Sequence, residues 1–346
     1  MLMGCAGPRV QTVRGPLDPE ALGPTLMHEH VFCDITPPKL AAAGGDEVEI
    51  TLENAWDIRY RWAAHLGNHR LNDERIAEAE LIRLKKAGGA TLVDVTCQGI
   101  RPDPLALHRV SAASGVHIVC GCGFYVEEHV DRDWTARDVD GLAATMVRDL
   151  RQGIGDTGVQ AGIIGEIGCS GRWTEFERRV MHAAVIAQRE TGASITIHPP
   201  RFPFSPVEIV EFVRAAGGDV GRTIISHVDR TIFDDGSLFC LADTGCVIEY
   251  DFFGIESSYY PFQEEIDLPN DAMRLRAISV LMARGHLGQI LVSQDICTRT
   301  RLTRWGGHGY GYLFQYVVPA MRRRGFAERD IRVILEDTPR RLLTLV

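Results

Sequence analysis

The sequence repeats one alternation eight times, in which a short and nearly continuous apolar run is followed by a stretch with helical periodicity. Runs that are apolar at almost every position are typical of strands buried on both faces of a parallel sheet. Strict strand and helix alternation over eight units predicts an α/β fold, the (β/α)8 or TIM barrel. An open doubly wound sheet is the alternative. No Gly-x-Gly-x-x-Gly follows the first run, which counts against a dinucleotide-binding fold and a dehydrogenase.

The predicted elements can be placed from the apolar runs and from the glycines and prolines that end them. We predict strands at residues 25–30, 91–96, 117–125, 161–168, 194–198, 222–227, 246–251 and 289–295. The predicted helices are residues 73–87, 104–114, 135–151, 174–191, 206–216, 236–243, 271–284, 311–324 and 328–343.

A length of 346 residues fits one barrel domain, which we place at residues 10–346. Residues 1–9 are expected to form a flexible N-terminal extension, and residues 10–23 a short β-hairpin before the first barrel strand. Residues 37–50 are rich in proline, alanine and glycine and are predicted to be a loop. Residues 52–68 are interpreted as an irregular or helical insertion.

Composition limits the partners and the compartment. The net charge of -9 gives no basic surface for nucleic acid, and Arg322-Arg323-Arg324 suits the C-terminus of a helix. The nine cysteines have no CxxC spacing and several lie within apolar runs, as expected for core residues in a reducing compartment. No apolar run has the length of a membrane span, and the N-terminus lacks a signal-peptide pattern. We therefore expect a cytoplasmic protein without a membrane partner.

Polar side chains stand where the predicted strands end, and in such barrels the active site lies at the C-terminal ends of the strands. His28 and His30 are two residues apart in the first strand, so both face one side and Glu29 faces the other, where a structural hydrogen bond is expected. The other strand-end residues are Tyr125, Glu166, His198, His227, Asp251 and Asp295.

Imidazole and carboxylate groups on several converging strands predict a metal site. Two divalent ions fit the set, with Zn²⁺ expected and Mn²⁺, Co²⁺ or Fe²⁺ as alternatives. One ion could be held by His28, His30 and Asp295, the other by His198 and His227, with Glu166 between them. A hydroxide shared by the two ions would be the nucleophile, and Asp295 is placed to accept its proton.

These residues resemble the phosphotriesterase family of the amidohydrolase superfamily. The similar segments are His28-Glu29-His30, Gly162 to Glu166, Thr196-Ile197-His198, Ser226-His227 and Leu291 to Asp295, and their flanks Thr12 to Pro16, Arg304 to Tyr310 and Thr338-Pro339-Arg340. The resemblance covers essentially the whole chain from about Val10. It implies a distorted barrel with two metals, in which His28, His30 and Asp295 bind the buried ion and His198 and His227 the exposed one. It also implies a homodimer, which no residue pattern here indicates by itself.

Two positions depart from the phosphotriesterases. Glu166 stands where phosphotriesterases and related lactonases have a carbamylated lysine. In having glutamate at this position, the chain resembles a subgroup of phosphotriesterase homologues. A glutamate still offers two oxygens, but its shorter arm requires the ions or the fourth strand to adjust. Phe252-Phe253 follows Asp251 in place of the relay histidine of phosphotriesterases, and the arginine of related lactonases is also absent, so efficient phosphotriester hydrolysis is not expected.

Four residues are candidates for substrate contact. Tyr125 matches a pocket aromatic of the family, the alternative being a rim residue that covers the core. Asp251 could also cap a helix or hold a ligand histidine. Trp305 and His308 lie in a glycine-rich loop after the eighth strand, where loop packing is the alternative. Asp229 could orient a ligand or cap a helix.

The expected function is hydrolysis of an ester-type bond in a small molecule, namely a lactone, a carboxylic ester or a phosphoester. One alternative is an amidohydrolase of a small N-acyl compound. Another is a non-catalytic ligand-binding protein on the same scaffold.

Overall fold

The computed structural model describes residues 7–44, 47–203 and 205–345. Eight parallel strands lie side by side in chain order, and helices follow them. The strands β1 to β8 are Thr25–Glu29, Thr91–Asp94, His117–Cys122, Ile163–Gly168, Ile195–His198, Thr223–Ile225, Val247–Tyr250 and Ile290–Val292. The predicted (β/α)8 barrel is confirmed. Most strands are shorter than their apolar runs, so several predicted site residues lie just beyond a strand end.

Seven helices, α1 to α7, each follow the strand of the same number. They are Glu74–Ala87, Pro104–Ser114, Val139–Arg151, Glu175–Thr191, Ser205–Ala215, Asp235–Ala242 and Asp271–Ala283. Local signals define their ends: α4 begins with a capping box between Thr174 and Glu177 and ends at Gly192, whose φ is 73°. Shorter helices are Pro38–Ala43, Ala55–Tyr60, Arg132–Thr135, Val318–Arg323, Glu328–Arg332 and Thr338–Leu343.

Three predicted elements need correction. Residues 37–50 contain the helix Pro38–Ala43, because proline suits the first turn of a helix and three alanines follow. The two C-terminal helices are each interrupted by a π-helical turn, Leu313–Val317 and Val333–Asp337. Each π turn precedes a proline, Pro319 or Pro339. Proline has no N–H to donate and its ring crowds the carbonyl four residues earlier, so a wider turn relieves the conflict.

The predicted N-terminal hairpin is present, with Arg9–Thr12 paired antiparallel to Gly15–Leu17. Thr344–Leu345 adds a third strand on the other side of Arg9–Thr12, which ties the two ends of the domain together. The Val13 N–H donates to the carbonyl of Ile118 in β3 (2.8 Å). The first strand of the hairpin begins at Arg9, one residue before residue 10, the expected start of the domain. Of the rest of the expected extension, residues 1–6 lie outside the described residues.

The inside of the barrel is filled by apolar side chains, as expected for this fold. These buried residues are Val10, Leu22, Met27, Val93, Val95, Val119, Ile163, Ile224, Val247, Leu291, Leu342 and Leu343. A larger apolar cluster lies between the strands and the helices. All cysteines of the described ranges are free thiols and, apart from Cys240, buried. Within the same ranges, every helix is too short or too polar to cross a membrane.

Glu29 closes the seam between β1 and β8. Its buried carboxylate accepts hydrogen bonds from the Ser293 hydroxyl (2.8 Å) and from the Ile296 N–H (2.9 Å). Beside it, the Asp295 N–H donates to the carbonyl of His28 (3.1 Å). The side chain that points away from the two histidines therefore fixes the residues after β8 against the end of β1.

We predict that Glu29→Ala lowers the free energy of unfolding by about 3 kcal/mol, because buried N–H groups at the seam lose their acceptor. Urea denaturation of the chelator-treated protein measures this loss without a contribution from metal binding. The exposed Glu265 supplies the control, Glu265→Ala, for which a change within about 0.5 kcal/mol is expected. Equal stabilities of the two variants would contradict the role of Glu29.

Candidate metal centre

The six predicted metal ligands converge at the C-terminal end of the barrel. A cavity of about 450 Å³, here called the central cavity, opens above them. Five of the six line it, namely His30, Glu166, His198, His227 and Asp295. His28 is fully buried and lies below the cavity. The strand ends therefore bring together every ligand candidate that the sequence indicated.

Glu166 lies at the centre of this cluster. Its carboxylate oxygens are 2.9 Å from His198 Nδ1 and 3.3 Å from His30 Nε2. They are also 3.5 Å from His227 Nε2 and 3.8 Å from His28 Nε2. One carboxylate thus approaches all four imidazoles, which is the arrangement needed to bridge two cations.

The backbone of β4 is irregular at this glutamate. Ile164 pairs with Ile195 and Ile167 with Ile197, so β4 has one more residue than β5 between the two pairs. Such a bulge redirects a side chain. Gly165 permits it, since its φ is 119° and a Cβ there would lie 2.3 Å from the carbonyl oxygen of Thr196. This irregularity lies directly beside Glu166 and sets the direction of its side chain.

The first ligand group is formed by His28, His30 and Asp295. Asp295 Oδ1 is 3.4 Å from His30 Nε2 and 3.8 Å from His28 Nε2. Within the described ranges, the buried Nε2 of His28 has no hydrogen-bond partner. Buried polar atoms normally have one, so a cation at this point would satisfy it. Asp295 has a φ of 47°, a left-handed conformation that carries strain in residues other than glycine and is often found at functional sites.

The second ligand group is formed by His198 and His227 beside Glu166. His198 Nδ1 and His227 Nε2 are 3.0 Å apart, and both face the same oxygen of Glu166. His227 also has a left-handed backbone, with a φ of 53°. The nitrogen and oxygen donors of both groups suit zinc and neighbouring first-row metals.

Asp251 holds His227 in place and is itself fully buried. Its carboxylate accepts from the His227 backbone N–H (2.9 Å) and contacts His227 Nδ1 (2.8 Å). This leaves Nε2 directed at the cluster. Of the roles considered for Asp251, the geometry favours that of a partner to a ligand histidine, since Asp251 does not line the central cavity.

His28 and His30, the two histidines of the first ligand group, also have partners on Nδ1, the ring nitrogen that faces away from the cluster. His30 Nδ1 lies 2.8 Å from the Thr96 hydroxyl. His28 Nδ1 lies 3.2 Å from the Ser226 hydroxyl and 3.4 Å from a carboxylate oxygen of Glu249. These contacts fix the ring orientations and leave each Nε2 facing inward.

The electrostatics of the cluster favour cations. Burial opposes protonation of His28 and His30, but the surrounding carboxylates raise the pKa of each to about 10. Burial acts to raise the pKa values of Glu166 and Asp295, yet the neighbouring histidines hold both below their usual ranges. The carboxylates therefore stay ionised at neutral pH and attract positive charge, either protons or metal ions.

The candidate substrate residues are divided by the structure. Tyr125 lines the central cavity, with its hydroxyl 3.5 Å from His198 Nδ1. Trp305 and His308 do not line it: Trp305 lies near Arg299, with the guanidinium carbon 5.8 Å from the ring centroid, and His308 lines a separate cavity with Tyr312. In this loop Gly307 packs directly on the backbone of Arg301, so a side chain at position 307 would clash there.

Asp229 serves neither of the roles considered for it. Its carboxylate accepts from Arg274 Nε (2.8 Å) and from the Phe252 backbone N–H (2.9 Å). It therefore fixes the start of the loop after β7 to α7.

Sequence reasoning missed several residues that line the central cavity, namely Trp62, Arg201, Arg230, Tyr260 and Phe262. The two arginines follow the candidate ligands His198 and His227 by three residues each, so the strand-end rule could have been extended to them. The three aromatics come from the loops after β1 and β7, where no periodic signal exists. Their rings contact each other, with Trp62 and Phe262 4.8 Å apart.

Comparison with known proteins agrees with this geometry. A sequence model described as Phosphotriesterase family matches residues 8–343. The chain belongs to the phosphotriesterase family. An N-acetyltaurine hydrolase from Homo sapiens is 39% identical to it over 341 residues, which are 97% of this chain and 98% of that protein.

Two solved structures of this phosphotriesterase-family fold extend the comparison. A resiniferatoxin-binding protein from Rhodobacter sphaeroides has a TM-score of 0.91 and 31% identity, covering 97% of this chain and 94% of that chain. A phosphotriesterase homology protein from Escherichia coli, with phosphate in its active site, has a TM-score of 0.77 and 27% identity, covering 94% and 100%. The protein is thus a hydrolase of a metal-dependent family, and its histidine and carboxylate groups could hold metal ions.

We predict that Asp251→Asn weakens binding of the ion at His198 and His227 by about 10- to 100-fold, because His227 loses the carboxylate that orients its ring. Metal content after dialysis against graded concentrations of a chelator measures the change. The exposed Asp156 provides the control, since Asp156→Asn alters no residue of the cluster. An unchanged affinity in Asp251→Asn would show that His227 is oriented by other contacts.

Proposed function

We propose that this protein is a metal-dependent amidohydrolase that removes the acyl group from a small N-acyl amine. The observation that carries the proposal is the near full-length similarity to N-acetyltaurine hydrolases, 39% identity over 97% of the chain, in a protein whose histidine and carboxylate groups could hold metal ions. The sequence favoured an ester-type bond and gave the N-acyl amide as an alternative. The relatives support the alternative.

We assign one divalent ion to His28, His30 and Asp295 and a second to His198 and His227, with Glu166 between them. Zn²⁺ is the expected ion, because the donors are imidazole nitrogens and carboxylate oxygens. When bound, such ions lower the pKa of a water molecule towards neutrality and polarise an acyl oxygen.

Asp295 is the proposed proton carrier. It is a carboxylate that lines the cavity, so it can accept a proton from the attacking water. As the oxygen of that water bonds to the acyl carbon and the C–N bond breaks, Asp295 returns the proton to the amine nitrogen. The products are a carboxylic acid and an amine.

Tyr125 is a candidate donor to the acyl oxygen. Burial raises the pKa of its hydroxyl well above the ordinary value, so the hydroxyl keeps its proton at neutral pH. Its position next to His198 places this donor at the edge of the metal cluster.

The cavity suits a small substrate. Its volume of about 450 Å³ lies in the range of small-molecule sites. Trp62, Phe252, Tyr260 and Phe262 form an aromatic wall on one side. This wall would shield the acyl group from bulk water while the polar cluster holds the reacting bond.

The proposal is tested with the zinc-loaded protein and a panel of N-acetyltaurine, N-acetylglycine, a γ-lactone, 4-nitrophenyl acetate and a phosphotriester. We expect the highest kcat/KM for an N-acyl amine and the lowest for the phosphotriester. A higher value for the lactone or the acetate ester would assign the protein to ester hydrolysis. Binding of panel compounds without any turnover would favour the non-catalytic alternative.

We further predict that Asp295→Asn lowers kcat on the best substrate by about 10²- to 10⁴-fold, the usual contribution of a general acid or base. Because Asp295 is also a proposed ligand, the metal content of the variant is measured in the same preparation. Asp133→Asn, at an exposed position, is the matched control and should keep full activity. Activity retained in Asp295→Asn would refute the assigned proton transfer.

A further inference from the structure

Two arginines that line the central cavity, Arg230 and Arg201, form no ion pair with a carboxylate in the part of the chain that the structure describes. Arg230 is only 1% exposed, and its Nη2 donates to the carbonyl of Pro199 (3.0 Å) and lies 3.1 Å from His198 Nε2. Its Nη1 is buried without a hydrogen-bond partner. Within the described ranges, no carboxylate lies within 4.0 Å of Arg230 or Arg201.

A buried guanidinium normally has a counter-charge, because an unpaired charge is costly to remove from water. The same protein shows the usual solution at Arg274, which is also fully buried. Arg274 pairs with Asp229 (2.8 Å) and with Asp271 (2.9 Å). Arg230 lacks such a pair although it lies beside a cavity large enough for a ligand.

Arg201 approaches the same cavity from the residues that follow β5. It is half-buried, and its Nε donates to the Tyr260 hydroxyl (2.9 Å). The guanidinium carbon lies 5.4 Å from the ring centroid of Tyr260 and 5.3 Å from that of Phe262. The aromatic contacts hold the side chain, and its terminal nitrogens make no hydrogen bond within the described ranges.

The charges around the central cavity are therefore separated. The carboxylates of Glu166 and Asp295 lie at the floor, within the metal cluster. Arg230 and Arg201 are on the side next to His198, and the exposed Lys39 adds a third cation at the rim. The exposed Glu128 is the other acid that lines this cavity.

The contact between Arg230 and His198 also calls for an acceptor. Arginine can only donate, so His198 Nε2 accepts in this structure and Nδ1 carries the ring proton towards Glu166. A cation at Nδ1 would leave the ring proton on Nε2, where it would face another donor. An anionic oxygen of a ligand could accept from both groups.

We propose that Arg230 and Arg201 form a subsite for an oxyacid anion, a carboxylate or a sulfonate, carried by the amine portion of the substrate. The inference rests on the proposed function for the scissile bond, but the anion subsite can be tested without turnover. Arginine suits this role because its planar fork matches the oxygens of such groups.

The test uses isothermal titration calorimetry on the zinc-loaded protein with probes that have no bond to hydrolyse. The probes are pentanesulfonate, hexanoate and the neutral 1-hexanol. We expect both anions to bind more tightly than hexanol. Arg230→Met should weaken anion binding by about 10- to 100-fold, the value of a hydrogen bond to a charged group, and leave hexanol binding unchanged.

Two further variants keep the test decisive. Arg201 contacts no proposed metal ligand, so Arg201→Met should weaken anion binding without affecting the metal cluster. Arg230→Lys should retain part of the anion binding because the positive charge remains. The exposed Arg329 gives the control, Arg329→Met, with unchanged binding of all probes. Zinc content is measured for each variant.

The outcomes separate the two proposals. Equal affinities of anions and hexanol for the wild-type protein would overturn the subsite. So would a loss of zinc in Arg230→Met with no anion-specific effect in Arg201→Met, because Arg230 would then only position His198. Arginine-dependent anion binding without hydrolysis of any N-acyl amine would support the subsite and refute the proposed reaction. The tighter of the two anions identifies the preferred oxyacid.

Discussion

The site depends on one interaction, the approach of the Glu166 carboxylate to four imidazoles. Three strand ends must deliver these histidines, and a partner behind each ring must orient it, such as Asp251 for His227 or Thr96 for His30. The barrel satisfies this requirement because the C-terminal ends of its strands meet on one rim. Against the effect of burial, the carboxylates of the cluster raise the pKa values of His28, His30 and His227, and the same negative charge would attract divalent ions.

The strands that carry candidate ligands depart from regular β-pairing next to those ligands. The pairing of β1 with β2 shifts between Leu26 and Glu29, and that of β4 with β5 between Ile164 and Ile167. Left-handed backbones at His227 and Asp295 redirect two further side chains. Local strain of this kind is maintained by the surrounding structure, here the packed barrel interior and the Glu29 seam.

The central cavity combines two kinds of wall that fit the proposed chemistry. Carboxylates and imidazoles at its floor suit cations and a reacting acyl group. Arg201 and Arg230 at its side form no ion pair among the described residues and suit an anion. The aromatic residues between them come from long loops after β1 and β7. The family supplies the reaction class, while these walls would select the substrate.

The sequence by itself determined the eightfold architecture, the positions of most helices and all six candidate ligands. Those signals are local: apolar periodicity marks a strand, and a polar residue at its end marks the rim. Only the tertiary structure decided that Arg230 lies at the cavity and that Trp305 and His308 lie away from it. The same holds for the third strand beside the hairpin and the shift in β4 that lets Glu166 reach the histidines. These features depend on contacts between residues far apart in the chain, and no short stretch of sequence specifies them.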